Sequence, residues 1–206
     1  MAMRSVKPMP LRRLTASESG QRVHPPPNAR ADAAPALHRS IPLPLSLYEI
    51  SIGVMLPKLR MLSTLLDKAA AHAEADTLAE ARLAPDMYPL SGQIQRVSDA
   101  AKFGAARLAG LTPPPFEDNE TTLAQLQERL AKTVAYLESV GPEQVDGREE
   151  ETITLPLRDR KVDFTGRSYL LNMVLPNFYF HVVTAYDILR HKGVEVGKRD
   201  YLALGS

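Results

Sequence analysis

The sequence predicts an all-α protein: a four-helix bundle with a short extended or β arm between its third and fourth helices. Three observations predict it. Four segments of roughly 20 to 27 residues carry apolar residues at helical spacing. Prolines and glycines cluster between those segments rather than within a strand-like alternation. Hydrophobic residues make up 44% and charged residues 24% of the chain, the balance of a globular domain.

The first helix is expected over residues 48–74, where Ile52, Met55, Leu59, Leu62, Leu65 and Leu66 recur on one face. Pro57 should kink it or mark its early boundary. A turn bracketed by Pro85 and Pro89 leads to the second helix, residues 90–109, with Leu90, Ile94, Val97, Ala101, Ala105 and Leu108 in register. Gly110 caps that helix and Pro113-Pro114-Pro115 prevents its continuation. The third starts at Thr121 or Thr122, either of which can act as N-cap. Its stripe is Leu123, Leu126, Leu130, Val134 and Leu137, and Gly141-Pro142 ends it. Residues 152–155 alternate and are rich in β-branched side chains. They read as a short strand or extended arm, with 161–164 as candidate partner. The fourth helix follows Thr165, a plausible N-cap, and runs to His191 before the stop signal Lys192-Gly193. Pro176 should kink it.

Residues 1–44 stand apart. They hold eight of the 17 prolines and seven basic residues against two acidic ones. Such a segment cannot bury enough apolar area to offset its ordering entropy and reads as a disordered Pro/Arg-rich tail. An Arg-rich targeting peptide and a mis-assigned translation start before Ser46 are the competing readings, and the start-site reading is favoured because the prolines oppose an amphipathic transit helix. The folded domain is expected over 45–206. Removing the tail leaves 18 basic and 22 acidic residues there, so the body is mildly acidic and a poor nucleic-acid binder. No run reaches the roughly 18 apolar residues of a membrane span. The absence of cysteine excludes disulfides, thiolate metal sites and a cysteine nucleophile, and fits a cytoplasmic location. No P-loop, dinucleotide fingerprint, GxSxG elbow or HExxH is present.

Chemistry-bearing residues concentrate on the fourth helix. Leu170, Val174, Asn177, His181, Thr184, Ile188 and His191 form one seam, beside a stripe of Leu171, Leu175, Phe178, Val182, Ala185 and Leu189. Asn177 and His181 are four residues apart on the same side, about 6 Å between β-carbons. They can reach one ion, orient one another, or be satisfied within the core. His191 and His72 lie near helix C-termini and read as cap residues. The second helix offers Gln93, Gln95, Ser98, Asp99 and Lys102. Asp99 and Lys102 are spaced to pair, giving a solvated face. Alternatively Gln95 or Asp99 points inward toward His181, where Asp99 fixes the imidazole tautomer or completes a ligand set.

Three blocks, ARLAPDMYPLSGQIQRVSDAAK, RLAGLTPPPFEDNETTLAQLQERLAKTVAYL and LPNFYFHVVTAYDILRHKGVEVGKRDYL, resemble a bacterial family of unknown function within the DinB/YfiT-like superfamily. The resemblance covers most of residues 46–203 and leaves the tail without a counterpart. It implies a helical bundle with a divalent-metal pocket, typically one histidine from the second helix and an HxxxH pair from the fourth, and in some members thiol-dependent transferase activity. This chain departs from that pattern. Asn177 stands in place of the first histidine of the pair, His181 keeps the second, and the second helix has none. Candidate metal ligands are His181, Asn177 and Asp99, a weak set for nickel or zinc and somewhat better for a harder cation. The expected pocket comprises Asn177, His181, Thr184, Asp99 and Gln95, its mouth closed by the 145–165 arm, with His181 as candidate catalytic residue. Two functions follow: a degenerate metal-dependent small-molecule transferase, or a non-enzymatic module that binds a small molecule or forms a homodimer.

Overall fold

The computed structural model describes residues 45–157 and 159–204. The expectation for residues 1–44 lies outside them. The described chain is mostly helical, with one two-stranded antiparallel sheet.

Ser46 opens α1 (Leu47–Ile50) through a capping box with Glu49. The chain then breaks at Ser51, whose φ of −110° and ψ of −86° are not helical, before α2 (Ile52–Ala70). The single helix expected over 48–74 is thus two helices and ends earlier. Pro57 lies inside α2 without ending it. The amide hydrogen it lacks would have bonded Gly53, and both residues are exposed, so water can take that carbonyl. The buried face of α2 contains all six of the predicted apolar positions.

After the short α3 (Ala75–Leu78) comes α4 (Leu90–Leu108). Gly110 follows it at φ +68°, the left-handed conformation that closes a helix. Thr122 is the N-cap of α5 (Leu123–Glu138), in a capping box with Gln125. A single-turn α6 (Pro142–Val145) precedes β1 (Thr152–Leu157) and β2 (Arg160–Thr165). Their register pairs Thr152 with Thr165, Ile153 with Phe164 and Leu155 with Val162, and Leu155 turns inward.

The expected fourth helix is also more than one element. Thr165 caps α7 (Gly166–Tyr169), a π-helical turn occupies Leu170–Val174, and α8 (Leu175–His191) carries Pro176 in its first turn. A proline ring conflicts with the carbonyl four residues earlier, here Asn172, and the wider π-turn sits where that conflict would fall. The turn also shifts the helical phase. Leu171, expected in the apolar stripe, is 48% exposed, while Leu170 and Val174 are buried. A final turn, α9 (Lys198–Tyr201), returns to α2, where Lys68 meets Asp200 at 2.7 Å and Lys58 Nζ donates to the Tyr201 carbonyl at 2.8 Å.

The long helices pack side by side, α4 against α8 and α5, and α2 against α5 and α8. One apolar core runs between them, with Phe178, Val182, Ala185, Ile188 and Leu189 contributed by α8. α4 comes close to the π-turn at Gly104. A β-carbon there would stand 2.6 Å from Val174 Cγ1, so only glycine lets the two backbones come this near.

Candidate functional site

His181 is buried at the contact between α4 and α8. Its Nδ1 lies 2.7 Å from Gln93 Oε1. The other end of that amide settles the proton: Gln93 Nε2 donates to the Tyr88 carbonyl at 3.1 Å, so Oε1 must face the imidazole as acceptor. Nδ1 therefore carries the hydrogen and Nε2 the lone pair. Phe180 stands edge-on to the ring at 5.1 Å between centroids. Burial lowers the His181 pKa below the ordinary 6.5, and the charge of Arg96 lowers it further. The neutral tautomer is thus the resting one.

The remaining expected site residues are dispersed. Thr184 donates to the Phe180 carbonyl at 2.7 Å, a bond back along its own helix. Asn177 is exposed rather than stacked beside His181. Gln95 turns away from α8 and donates to Glu120 at 2.9 Å. Asp99 pairs with Lys102 at 3.3 Å, as its spacing predicts, but also with Arg96 at 3.2 Å and Arg129 at 3.1 Å. Arg129 is almost fully buried and also meets Asp118 and Glu120, each at 3.0 Å. Asp99 thus belongs to a network of three cations and three carboxylates that holds the 111–121 connection to α4 and α5. Of the two histidines expected as caps, His191 is exposed in the last turn of α8, and His72, just past the end of α2, accepts from the Glu74 amide at 3.2 Å.

One turn of α8 before His181, at Asn177, the structure opens a cleft of about 320 Å³ between α4, the π-turn and β1, which His181 does not line. Arg96, Asp99, Arg107 and Asn177 supply its polar groups, and Phe103, Leu155, Met173 and Val174 its apolar ones. Gln93, Arg96 and Arg107 escape a reading by helical stripe for different reasons. Gln93 was visible as a polar residue three positions after Leu90 on the buried face, a signal that it needs a partner. The two arginines read as ordinary surface cations until the neighbouring elements enclose them.

A divalent metal does not fit these residues. Among the described residues, no three His, Asp or Glu side chains form a group that could hold a metal ion. Where a metal needs a second strong donor beside His181, there is the Gln93 amide, already bonded at both ends. Asp99 is held by three cations of its own.

The fold is a mostly helical domain with a cleft between α4, the π-turn and β1, and comparison places its family. The family described as domain of unknown function DUF1993 matches residues 47–202, and the chain belongs to that family. The crystal structure of a DinB family member protein from Shewanella denitrificans is similar over 78% of this chain and 92% of that one, at 39% identity and a TM-score of 0.69. The family is therefore DinB-like, with its function described as unknown. Comparison with the curated proteins finds no match. Among the described residues, no helix is long and apolar enough to cross a membrane.

Proposed function

We propose that this chain is a small-molecule-binding domain built on a DinB-like four-helix bundle, and that its ligand occupies the cleft between α4, the π-turn and β1. The observation that supports this reading most directly is the cleft itself. It joins an apolar wall of Phe103, Met173 and Val174 to a few convergent polar groups, Arg96, Arg107 and Asn177. Small-molecule sites have this character, and about 320 Å³ lies at the low end of their usual range of ~300–1,000 Å³. His181 then serves as a neutral, hydrogen-bonded member of the adjacent helix contact, holding α8 so that Asn177 faces the cleft. Metal-dependent transfer is the weaker reading because the side chain bonded to the His181 ring is a neutral amide, Gln93.

Two measurements test this. Heteronuclear NMR of the full chain with benzamide as a neutral probe should perturb Ala100, Phe103, Met173 and Asn177 together. Ala100→Trp, which fills the cleft, should abolish the response. Elemental analysis of protein purified without a histidine tag should find no stoichiometric metal. Near-equimolar nickel or zinc, lost in His181→Ala, would overturn the reading in favour of the metalloenzyme.

A further inference from the structure

Arg107 and Arg96 enter the cleft with different electrostatic standing. Arg96 is already neutralised, by Asp99 at 3.2 Å and by Asp118. The wider network around it, Arg96, Lys102 and Arg129 against Asp99, Asp118 and Glu120, balances charge for charge. Arg107 has no carboxylate within ion-pairing distance among the described residues. Its Nη1 donates to the Tyr169 hydroxyl at 2.9 Å, and its guanidinium lies 5.0 Å from the Phe103 ring centre and 5.9 Å from that of Tyr169. Two aromatic rings and a neutral hydroxyl thus hold a half-buried cation in place without cancelling its charge. Guanidinium groups fixed in this way are prepared for two parallel hydrogen bonds to a carboxylate.

We infer that the cleft selects small monocarboxylates with a flat or short apolar body, the carboxylate bound by Arg107 and the body set against Phe103, Met173 and Leu155. This rests on the small-molecule reading above. The single negative charge follows from the cleft's two cations: Arg96 is already paired with carboxylates, so Arg107 alone is left to match one charge, not the two of a phosphate dianion or a dicarboxylate. Asn177 adds amide donors that suit an oxygen-bearing ligand.

The test compares benzoate with its neutral counterpart benzamide on the full chain, by NMR titration of the cleft resonances. Benzoate should bind about tenfold or more tightly than benzamide, the difference a charge-assisted hydrogen bond makes. Arg107→Gln, which removes the charge and keeps an amide donor, should erase that preference by weakening benzoate far more than benzamide. Arg107→Lys should restore only part of it, and added salt should weaken benzoate alone. A merely structural role for Arg107 would move both probes together. Equal binding of both probes, insensitive to Arg107→Gln, would overturn the carboxylate assignment and leave the cleft reading standing. Failure of both probes to perturb the cleft at tens of millimolar would overturn both.

Discussion

Gln93 Oε1 accepts from His181 Nδ1 at 2.7 Å, across the contact between α4 and α8. The amide is locked from behind by the Tyr88 carbonyl. This pair ties the turn before α4 to the middle of α8, and it presents Nε2 of a neutral imidazole where the resemblance implied a metal.

Removing the imidazole should therefore cost stability. His181→Ala leaves Gln93 Oε1 without its donor, a loss of roughly 1–3 kcal/mol. At about 2–4 °C per kcal/mol for a domain of this size, calorimetry should show Tm falling by several degrees. Replacing both partners, Gln93→Leu with His181→Leu, should recover much of the loss because no polar atom is then stranded. An unchanged Tm in His181→Ala would mean the ring serves the cleft and not the helix contact.

The same residue sets a pH dependence. Its folded-state pKa lies below the ordinary 6.5 because of burial first and Arg96 second. Between those two values the unfolded chain takes up a proton that the folded chain refuses. The contribution of His181 is thus complete above 6.5 and is lost as pH falls through the folded-state value. Urea midpoints measured from about pH 7.5 down to about pH 5 should decline more steeply in the parent than in His181→Leu. Parallel declines would show that the imidazole titrates alike in both states.

Gly104→Ala sets two effects against each other. Alanine favours a helix interior by up to about 1 kcal/mol over glycine. Its β-carbon would stand 2.6 Å from Val174 Cγ1, a contact that cannot persist. Valine has little rotamer freedom in a helix, so α4 and the π-turn must separate, at about 1–3 kcal/mol. The net expectation is a loss of about 1 kcal/mol or more in urea unfolding, with favourable coupling when Val174→Ala is added. A stabilised single variant would show that the π-turn yields easily.

Arg129→Met should be the most damaging of these changes. The arginine is almost fully buried and serves Asp99, Asp118 and Glu120 at 3.0–3.1 Å. Taking away one side of such a network leaves carboxylates short of counter-charge, and about 3 kcal/mol is expected from urea unfolding. Arg129→Lys should rescue little, since a single ammonium cannot reach three carboxylates in a fork. A loss under about 1 kcal/mol would mean that water replaces the guanidinium at this site.

Much of the architecture was legible in the chain. The buried stripes of α2, α4 and α5, the Thr122 and Thr165 caps, the left-handed Gly110 and, to within one residue of register, the pairing of 152–155 with 161–164 all follow from spacing and local backbone preference. These are decided within a few residues of sequence, by periodicity, by capping hydrogen bonds and by conformations that only some residues adopt. The break at Ser51 and the π-turn at Leu170–Val174 were not legible. One extra residue in a helical turn rotates everything beyond it by about 100°, which is why Leu171 faces out.

The site followed the same division. That His181 and Asn177 share a helix, and that no second histidine accompanies them, belongs to the sequence alone. That Gln93, and not Gln95 or Asp99, meets His181 was decided by the rotation and axial offset of α4 against α8. Gln93 and Gln95 point roughly 200° apart on one helix, so a modest turn of that helix exchanges their partners. Arg107 gained its place in the cleft only when Tyr169 and β1 closed around it. Local spacing determines which face each residue occupies. Packing between elements distant in sequence determines which faces meet.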